Sequence, residues 1–119
     1  MEATVTELAY TAGLLDGEGC IQIRKRKHYN YSYTYSVRVS IKNTDPDVLY
    51  WVKNLFSGYV THRSKSKSKL ATKDSYNWTL TGRRKVSNFL ESMNPFLHIK
   101  LNLSNLLLEF CSRVPKRQG

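Results

Sequence analysis

Apolar residues recur with a helical period in four stretches of this chain. The first stretch begins with Thr4 followed by Glu7, the pattern of a capping box, and predicts a helix from about Val5 to Asp16. In the second stretch Asp45 is placed as the N-cap and Pro46 as the first helical residue. The three later helices are predicted over residues 46–56, 83–93 and about 99–113.

Apolar and polar residues alternate with a period of two in four other stretches, which predicts β-strands. In one of them Val37, Val39 and Ile41 point to one side, and Arg38 and Lys42 point to the other. The four strands are predicted over residues 20–28, 34–43, 57–64 and 74–81, as two hairpins. The order helix, hairpin, helix, hairpin and two helices predicts an α+β fold, with helices covering one face of one antiparallel sheet.

The 119 residues are enough for one domain, predicted over 1–119, with a modest core. Lysines alternating with serines predict a flexible basic loop at about 64–73, and the end of the chain is predicted to fray at about 115–119. The loop is interpreted either as a non-specific phosphate contact or as a solubilising segment.

The predicted open face of the sheet is polar and basic. Antiparallel sheets often have one solvated face, but such faces usually mix acids with bases, and the four strands hold one acid, Asp74. Base edges in a major groove are read by long side chains that donate hydrogen bonds and by side-chain amides, carried on a curved ribbon. The candidate DNA-binding residues are Gln22, Arg24, Arg26, His28, Thr34, Ser36, Arg38, Ser40, Lys42, Tyr59, Thr61, Arg63, Lys65, Lys67, Asn77 and Thr79.

The overall charge agrees with a polyanionic partner. The formal net charge is +10 at pH 7, which favours nucleic acid over an acidic membrane, with a solvated basic surface as the alternative. A membrane-surface protein would need a lysine-rich helix with large exposed apolar residues, and no segment shows one. Tyrosines 29, 31 and 33 crowd the first hairpin turn, where they either brace the loop or touch DNA.

Cysteine usage and the ends of the chain indicate an expected compartment. Cys20 and Cys111 belong to no CxxC or Cys/His cluster, so neither a zinc site nor a disulfide framework is indicated. The first residues lack the pattern of a secretory signal, and no apolar run is long enough to span a bilayer. We therefore expect an intracellular, reducing compartment: a bacterial, phage-infected or archaeal cytoplasm, or an organelle.

One face of the first helix is nearly bare of side chain. It is formed by Ala9, Ala12, Gly13 and Asp16, which are spaced at i, i+3, i+4 and i+7. A bare stripe lets another backbone approach closely, as between paired helices. The alternative is an ordinary short helix packed on a sheet, and the spacing alone does not choose between the two.

The segment "TAGLLDGEG", Thr11–Gly19, resembles the LAGLIDADG motif of homing endonucleases. Thr11 stands for the first leucine, Leu15 for isoleucine and Glu18 for the last aspartate. The element order αββαββα is similar to that of the family, as is "NPFLHIK" before the last helix. Together these resemblances cover residues 8–115.

The resemblance implies a metal-dependent site built on the two glycines and two acids of the motif. Glu18 matches the family's metal ligand, and the carbonyl of Gly17 joins the coordination. Lys100 and Asn43 match polar residues near the reacting phosphate and its water. Asp16 is expected to serve structure by hydrogen-bonding backbone. Mg²⁺ is the expected cofactor, with Mn²⁺ as a substitute and Ca²⁺ supporting binding without cleavage.

The resemblance also implies a homodimer, because one chain carries one motif. The bare face Ala9, Ala12, Gly13 and Asp16 would then be the dimer interface. The implied activity is site-specific cleavage of double-stranded DNA at a long near-palindromic site, leaving 3′ overhangs, as in intron homing. The alternative is a non-cleaving relative, such as an RNA-splicing maturase or a transcription regulator. Asp47, where some members carry a basic residue, keeps this alternative open, and RNA stays open as a partner.

Overall fold

The computed structural model describes residues 3–63 and 74–113. The predicted basic loop, with Lys65 and Lys67, and the predicted frayed tail lie outside these ranges. The elements, in chain order, are α1 (Val5–Glu18), β1 (Gly19–Lys27), β2 (Tyr33–Asn43), α2 (Pro46–Phe56), β3 (Tyr59–Arg63), β4 (Ser75–Thr81), α3 (Arg83–Met93), a 3₁₀ turn (Asn94–Phe96) and α4 (Leu101–Arg113). The predicted element order and the α+β class are confirmed.

The four strands form one antiparallel sheet in the order β1-β2-β4-β3. Its inner face contributes Val39, Ile41 and Trp78 to the core, and none of the three is exposed. The indole N–H of Trp78 donates to the Ser57 carbonyl at 2.7 Å, which satisfies the one polar group of this buried ring. The helices supply further large buried side chains, among them Leu15, Leu49, Val86, Leu90 and Leu107.

Helix α1 starts as the sequence predicts and ends two residues later. Thr4 and Glu7 exchange both hydrogen bonds of a capping box, at 2.8 and 3.1 Å. The helix continues through Gly17 to Glu18, and its C-cap is Gly19, whose N–H donates to the Leu15 carbonyl. A Cβ at position 19 would collide with Leu15, so the immediate reversal from α1 into β1 requires glycine. This reversal places Glu18 at the point where helix and sheet meet.

Helix α4 begins at Leu101, two residues later than predicted. Residues 98–100 instead form a loop held by Asp16. The leucines of this helix differ in burial because of its orientation. Leu107 is fully buried, whereas Leu103 and Leu106 are 41% and 58% exposed.

Candidate nucleic-acid interface and metal site

The strand register places most of the predicted DNA-binding residues on one surface. Directly paired residues of an antiparallel sheet point to the same side, so each pair identifies neighbours on the open face. The pairs on this face are Gln22–Arg38, Arg24–Ser36, Arg26–Thr34, Arg38–Thr81, Ser40–Thr79, Lys42–Asn77, Thr61–Asn77, Tyr59–Thr79 and Arg63–Ser75. The sheet thus presents one continuous polar surface from β1 to β3.

This open face carries positive charge without compensation. Five of its side chains are cationic, and none of the four described strands contains an aspartate or glutamate. Asp74 lies just before β4 and pairs with His62 at 3.1 Å. A potential of one sign over a sheet face attracts a polyanion. The cationic residues of the open face are Arg24, Arg26, Arg38, Lys42 and Arg63.

Two of the predicted contacts differ in their surroundings from the others. Thr79 is only 6% exposed, because it lies on the central strand between Ser40 and Tyr59, so a ligand has little access to its hydroxyl. The assignment of Thr79 to DNA contact stays a prediction, for a residue that is largely buried in this chain. At the far end of the hairpin, the imidazole of His28 is hydrogen-bonded to the Thr34 hydroxyl at 2.9 Å.

Two of the tyrosines in the first hairpin make cation–π contacts with lysine side chains. The ammonium of Lys25 lies 4.1 Å from the ring centroid of Tyr33, and that of Lys27 lies 5.5 Å from the ring centroid of Tyr31. Such cation–π contacts restrain long side chains that would otherwise be free. Tyr29 is 98% exposed at the turn itself.

Glu18 lies at the base of α1, in a small cleft with the end of β2. The pairing of Gly19 with Ile41 brings this end of β2 beside the end of the helix. Glu18, Lys42, Asn43 and Thr44 line a cleft of about 220 Å³. The Glu18 side chain is exposed, and it makes no hydrogen bond or ion pair within the described part of the chain. A free carboxylate thus faces a cleft that already holds an amide and an ammonium group.

Asp16 has an entirely different environment, although it is two residues away. Its carboxylate accepts hydrogen bonds from the backbone N–H groups of His98 at 2.8 Å and Lys100 at 2.9 Å. Partial burial alone would raise the pKa of the Asp16 carboxyl. The hydrogen bonds from the loop backbone and the charge of Lys100 outweigh burial and lower that pKa below its usual value of 3.8. Asp16 is therefore ionised and holds the loop that precedes α4.

Lys100 belongs to the same local structure. Its ammonium donates to the backbone carbonyl of Asp16 at 2.8 Å, in the last turn of α1. A cation at the C-terminal end of a helix is favoured by the helix dipole. The loop and the helix end are thus connected in both directions, and Lys100 is held in the turn that carries Glu18.

The exposed face of small residues on α1 differs from the face predicted from the sequence. Ala9 and Gly13 are exposed, but Ala12 is fully buried in the core of its own chain. The spacing of residues gives their angles around a helix but not the side on which the core lies. The predicted face therefore includes Ala12, which packs into the core. The exposed stripe is instead Val5, Ala9, Gly13 and Gly17, spaced four residues apart. At both glycines an added Cβ would meet no atom within 4 Å.

The chemistry of these groups suits a hard divalent cation. Mg²⁺ takes oxygen ligands and is usually bound by one or two carboxylates together with phosphate oxygens and water. The exposed carboxylate of Glu18 and the adjacent carbonyl of Gly17 are such oxygens. Within residues 3–63 and 74–113, no three His, Cys, Asp or Glu side chains are grouped in a way that could hold a metal ion. One described chain therefore offers part of a coordination sphere at this point.

Within residues 3–63 and 74–113, no helix is long and apolar enough to cross a membrane.

Comparison with known proteins identifies the fold. The chain is similar in structure to the homing endonuclease I-CvuI, solved in complex with the I-CreI DNA target. The TM-score is 0.75 and the identity 19%, over 91% of this chain and 67% of that one.

Two further solved structures are similar. The archaeal intron-encoded homing endonuclease I-Vdi141I, complexed with DNA, gives a TM-score of 0.71 at 16% identity, over 90% of this chain and 67% of that one. The meganuclease I-SmaMI, bound to uncleaveable DNA, gives 0.69 at 17%, over 92% of this chain and 37% of that one.

At these identities the similarity establishes the fold, and the sequence match establishes the family. Among curated proteins no sequence matches the chain. The model of the family described as LAGLIDADG endonuclease matches residues 11–103. That range begins at Thr11, the first residue of the motif, and ends within α4. The chain belongs to the LAGLIDADG homing endonuclease family.

Proposed function

We propose that this protein is a homodimeric, divalent-metal-dependent endonuclease that cleaves double-stranded DNA at a specific, near-palindromic site. The observation that carries the proposal is the exposed Glu18 carboxylate, unpartnered among the described residues, at the edge of a basic sheet face that lacks acids. A carboxylate so placed is repelled by DNA unless a cation lies between them. The functional unit is the single domain 1–119, used twice.

The open face supplies binding and specificity. Arginine side chains pair with guanine edges, and Gln22 and Asn77 have the amides that pair with adenine. Lys42 lies at one end of the row Lys42–Asn77–Thr61, and Arg63 pairs with Ser75 in the neighbouring row. Both side chains provide positive charge for phosphates. The dimer repeats this set, which is the reason to expect a long target with two related halves.

The cleft at the base of α1 supplies the chemistry. Glu18 and the carbonyl of Gly17 hold the cation, which when bound activates water and stabilises the leaving oxygen. Lys100 offsets charge that develops on the phosphate, and Asn43 orients the attacking water. Lys42 places an ammonium group in the cleft. Asp47 stands where some members of the family carry a basic residue. Use of one cleft on each strand would cut both strands, and the resemblance to the family implies short 3′ overhangs.

The dimer forms along the exposed stripe of α1. Small residues at every fourth position let two helix backbones approach closely, and here they are Ala9, Gly13 and Gly17. Val5, 70% exposed, extends the stripe to the start of the helix. Two copies of α1 packed in this way bring both Glu18 residues to one end of the seam. The two clefts then lie where the two strands of a duplex can reach them.

Cleavage is tested on a target selected from random DNA and placed in a plasmid. We expect nicked or linear product with Mg²⁺, and a bound but uncut plasmid with Ca²⁺. A plasmid that is bound and uncut with both cations would favour the non-cleaving relative, for which the departure at Asp47 is the specific observation. Absence of binding with either cation would remove the proposal.

The dimer is tested separately by sedimentation. Gly13→Leu adds a large side chain on the open side of α1, where an added Cβ meets no atom of its own chain within 4 Å, so we expect a folded monomer. Asn88→Leu adds the same apolar side chain on the exposed side of α3 and should leave the dimer intact. A Gly13→Leu protein that sediments as the wild type does would contradict the helix seam.

A further inference from the structure

The β1–β2 hairpin extends beyond the rest of the sheet as a two-stranded ribbon. The pairing of β2 with β4 reaches only Arg38, whereas the pairing of β1 with β2 continues to Lys27 with Tyr33. The ribbon consists of residues 23–27 and 33–37. Every residue of its β1 strand is exposed, so this strand presents both of its faces to solvent.

The face of the ribbon opposite the open face, termed the reverse face, changes from apolar to basic along its length. At its inner end Val37 is 3% exposed, and the ring of Tyr35 packs edge-to-face on Phe110 of α4, with centroids 5.6 Å apart. Beyond this contact the reverse face carries Lys25 and Lys27. Two cations thus stand on the side of the sheet that elsewhere faces the core.

The ribbon carries positive charge on both faces. The segment Arg24–Lys27 consists of four consecutive cations, which alternate between the open and the reverse face. Residues 19–44 contain no aspartate or glutamate. Neighbouring like charges repel one another, so a polyanion bound along the ribbon lowers its electrostatic free energy.

Tyrosine rings restrain the two lysines of the reverse face. The ammonium group of Lys25 lies 4.1 Å from the ring centroid of Tyr33, and that of Lys27 lies 5.5 Å from the ring centroid of Tyr31. Tyr31 has a φ of +65°, a conformation that favours glycine or asparagine and costs free energy for a tyrosine. A lysine that is already restrained loses less conformational entropy when it binds a ligand.

We propose that the reverse face of the ribbon binds backbone phosphates of the DNA target through Lys25 and Lys27, while the open face of the same ribbon points to the bases. A major groove is about 12 Å wide and admits a two-stranded ribbon. When one face of the ribbon points to the floor of the groove, the other faces its mouth, where phosphates of both strands form the walls. This inference rests on the proposed DNA binding and extends it to two residues on the other side of β1. The contacts fix the position of the duplex and read no base.

The first test compares two double variants that change the net charge equally. Target affinity is measured by fluorescence anisotropy in Ca²⁺ over a series of salt concentrations. Lys25→Ala/Lys27→Ala should weaken binding at least about 10-fold and reduce the slope of log K against log[salt] by about 2, the effect of losing two phosphate contacts. Lys53→Ala/Lys85→Ala removes two exposed lysines of α2 and α3, one of them also beside a tyrosine ring, and should change both quantities less. Equal effects from the two double variants would overturn the proposal.

The second test separates phosphate contact from base readout. A lost phosphate contact weakens binding to all sequences by a similar factor. Lys25→Ala/Lys27→Ala should therefore lose the same factor on the selected target and on targets with one base pair changed. Arg26→Ala, on the open face of the same ribbon, should instead relax discrimination at one base pair. A change of base preference in the lysine variant as large as that in Arg26→Ala would overturn the proposal.

The third test concerns the rings and guards against loss of folding. Tyr33→Leu removes a ring and should weaken binding several-fold, whereas Tyr33→Phe retains the cation–π contact and should bind as the wild type does. Equal binding by both variants would contradict the positioning role of the ring. Lys25→Met/Lys27→Met keeps the apolar stems and removes the charges, so it reports on the contact if the alanine variant fails to fold. Wild-type protein that binds no target would remove the proposed function itself, whereas wild-type binding that both lysine double variants reduce equally would remove only the reverse-face contact.

Discussion

Asp16 and Glu18 are two carboxylates on the last turn of one helix, and they are used in opposite ways. Asp16 is engaged by two backbone N–H groups of its own chain, and its pKa is lowered by them and by Lys100. Glu18 is exposed and has no such partner in the described ranges. One acid therefore holds the end of the helix to a distant loop, and the other is left exposed, where the proposed function gives it a cation.

Removing the outward acid should give the largest effect. Glu18→Gln keeps the size of the side chain and removes its charge, so cleavage should fall by at least about 1,000-fold while folding is retained. Binding in Ca²⁺ should change far less. Glu91→Gln makes the same chemical change on exposed α3 and should leave cleavage intact. Equal loss of folding and cleavage in Glu18→Gln would mean that both acids are structural.

Removing the inward acid should instead destabilise the protein. Asp16→Ala leaves the N–H groups of His98 and Lys100 without their acceptor, which should lower the free energy of unfolding by about 2 kcal/mol. Asp16→Asn should recover part of this, because its amide retains one acceptor oxygen. Urea denaturation measures both. An Asp16→Ala protein as stable as the wild type would show that the loop is held by other contacts.

The pH dependence of stability tests the role of Asp16 again, with a smaller expected effect. A carboxyl whose pKa is lower in the folded than in the unfolded chain contributes stability above its unfolded pKa, here 3.8. That contribution is lost as the pH falls through the lowered, folded value. The difference in stability between wild type and Asp16→Ala should therefore be constant from pH 7 to about pH 5 and shrink below pH 3.8. A difference that grows on acidification would reverse the assignment.

Local patterns were sufficient for the order of elements but not for the direction in which α1 faces its core. The capping box at Thr4 and the N-cap at Asp45 involve residues two or three apart, and both are as predicted. The burial of Ala12 depends on where the sheet lies, and spacing along one helix carries no such information. The partners of Asp16 lie 82 and 84 residues away, so the sequence alone identified its role but not its contacts.

The sequence names single residues of the candidate site but not which of them lie side by side. Lys42 was assigned to DNA contact on the alternation of β2, and its place beside Glu18 follows from the register of Gly19 with Ile41. In the sequence, Arg83 is one of several basic residues at the start of a predicted helix. Its position beside Arg24 and Arg38, around one cavity, depends on β4 ending while β2 continues, which is a relation between two strands that neither strand's pattern contains.

The proposed dimer and its shared site both require two α1 helices to meet along their exposed stripes. Cysteine placed at Ala9, Gly13 or Gly17, in a protein with Cys20 and Cys111 replaced by serine, tests this contact by mild oxidation. Because a disulfide needs Cα atoms roughly 4.4–6.8 Å apart, we expect a cross-linked dimer from at least one of these positions and none from Ser92→Cys on α3. If none of the three α1 positions cross-links, or Ser92→Cys does so equally, the helix seam and the shared site at its base are contradicted.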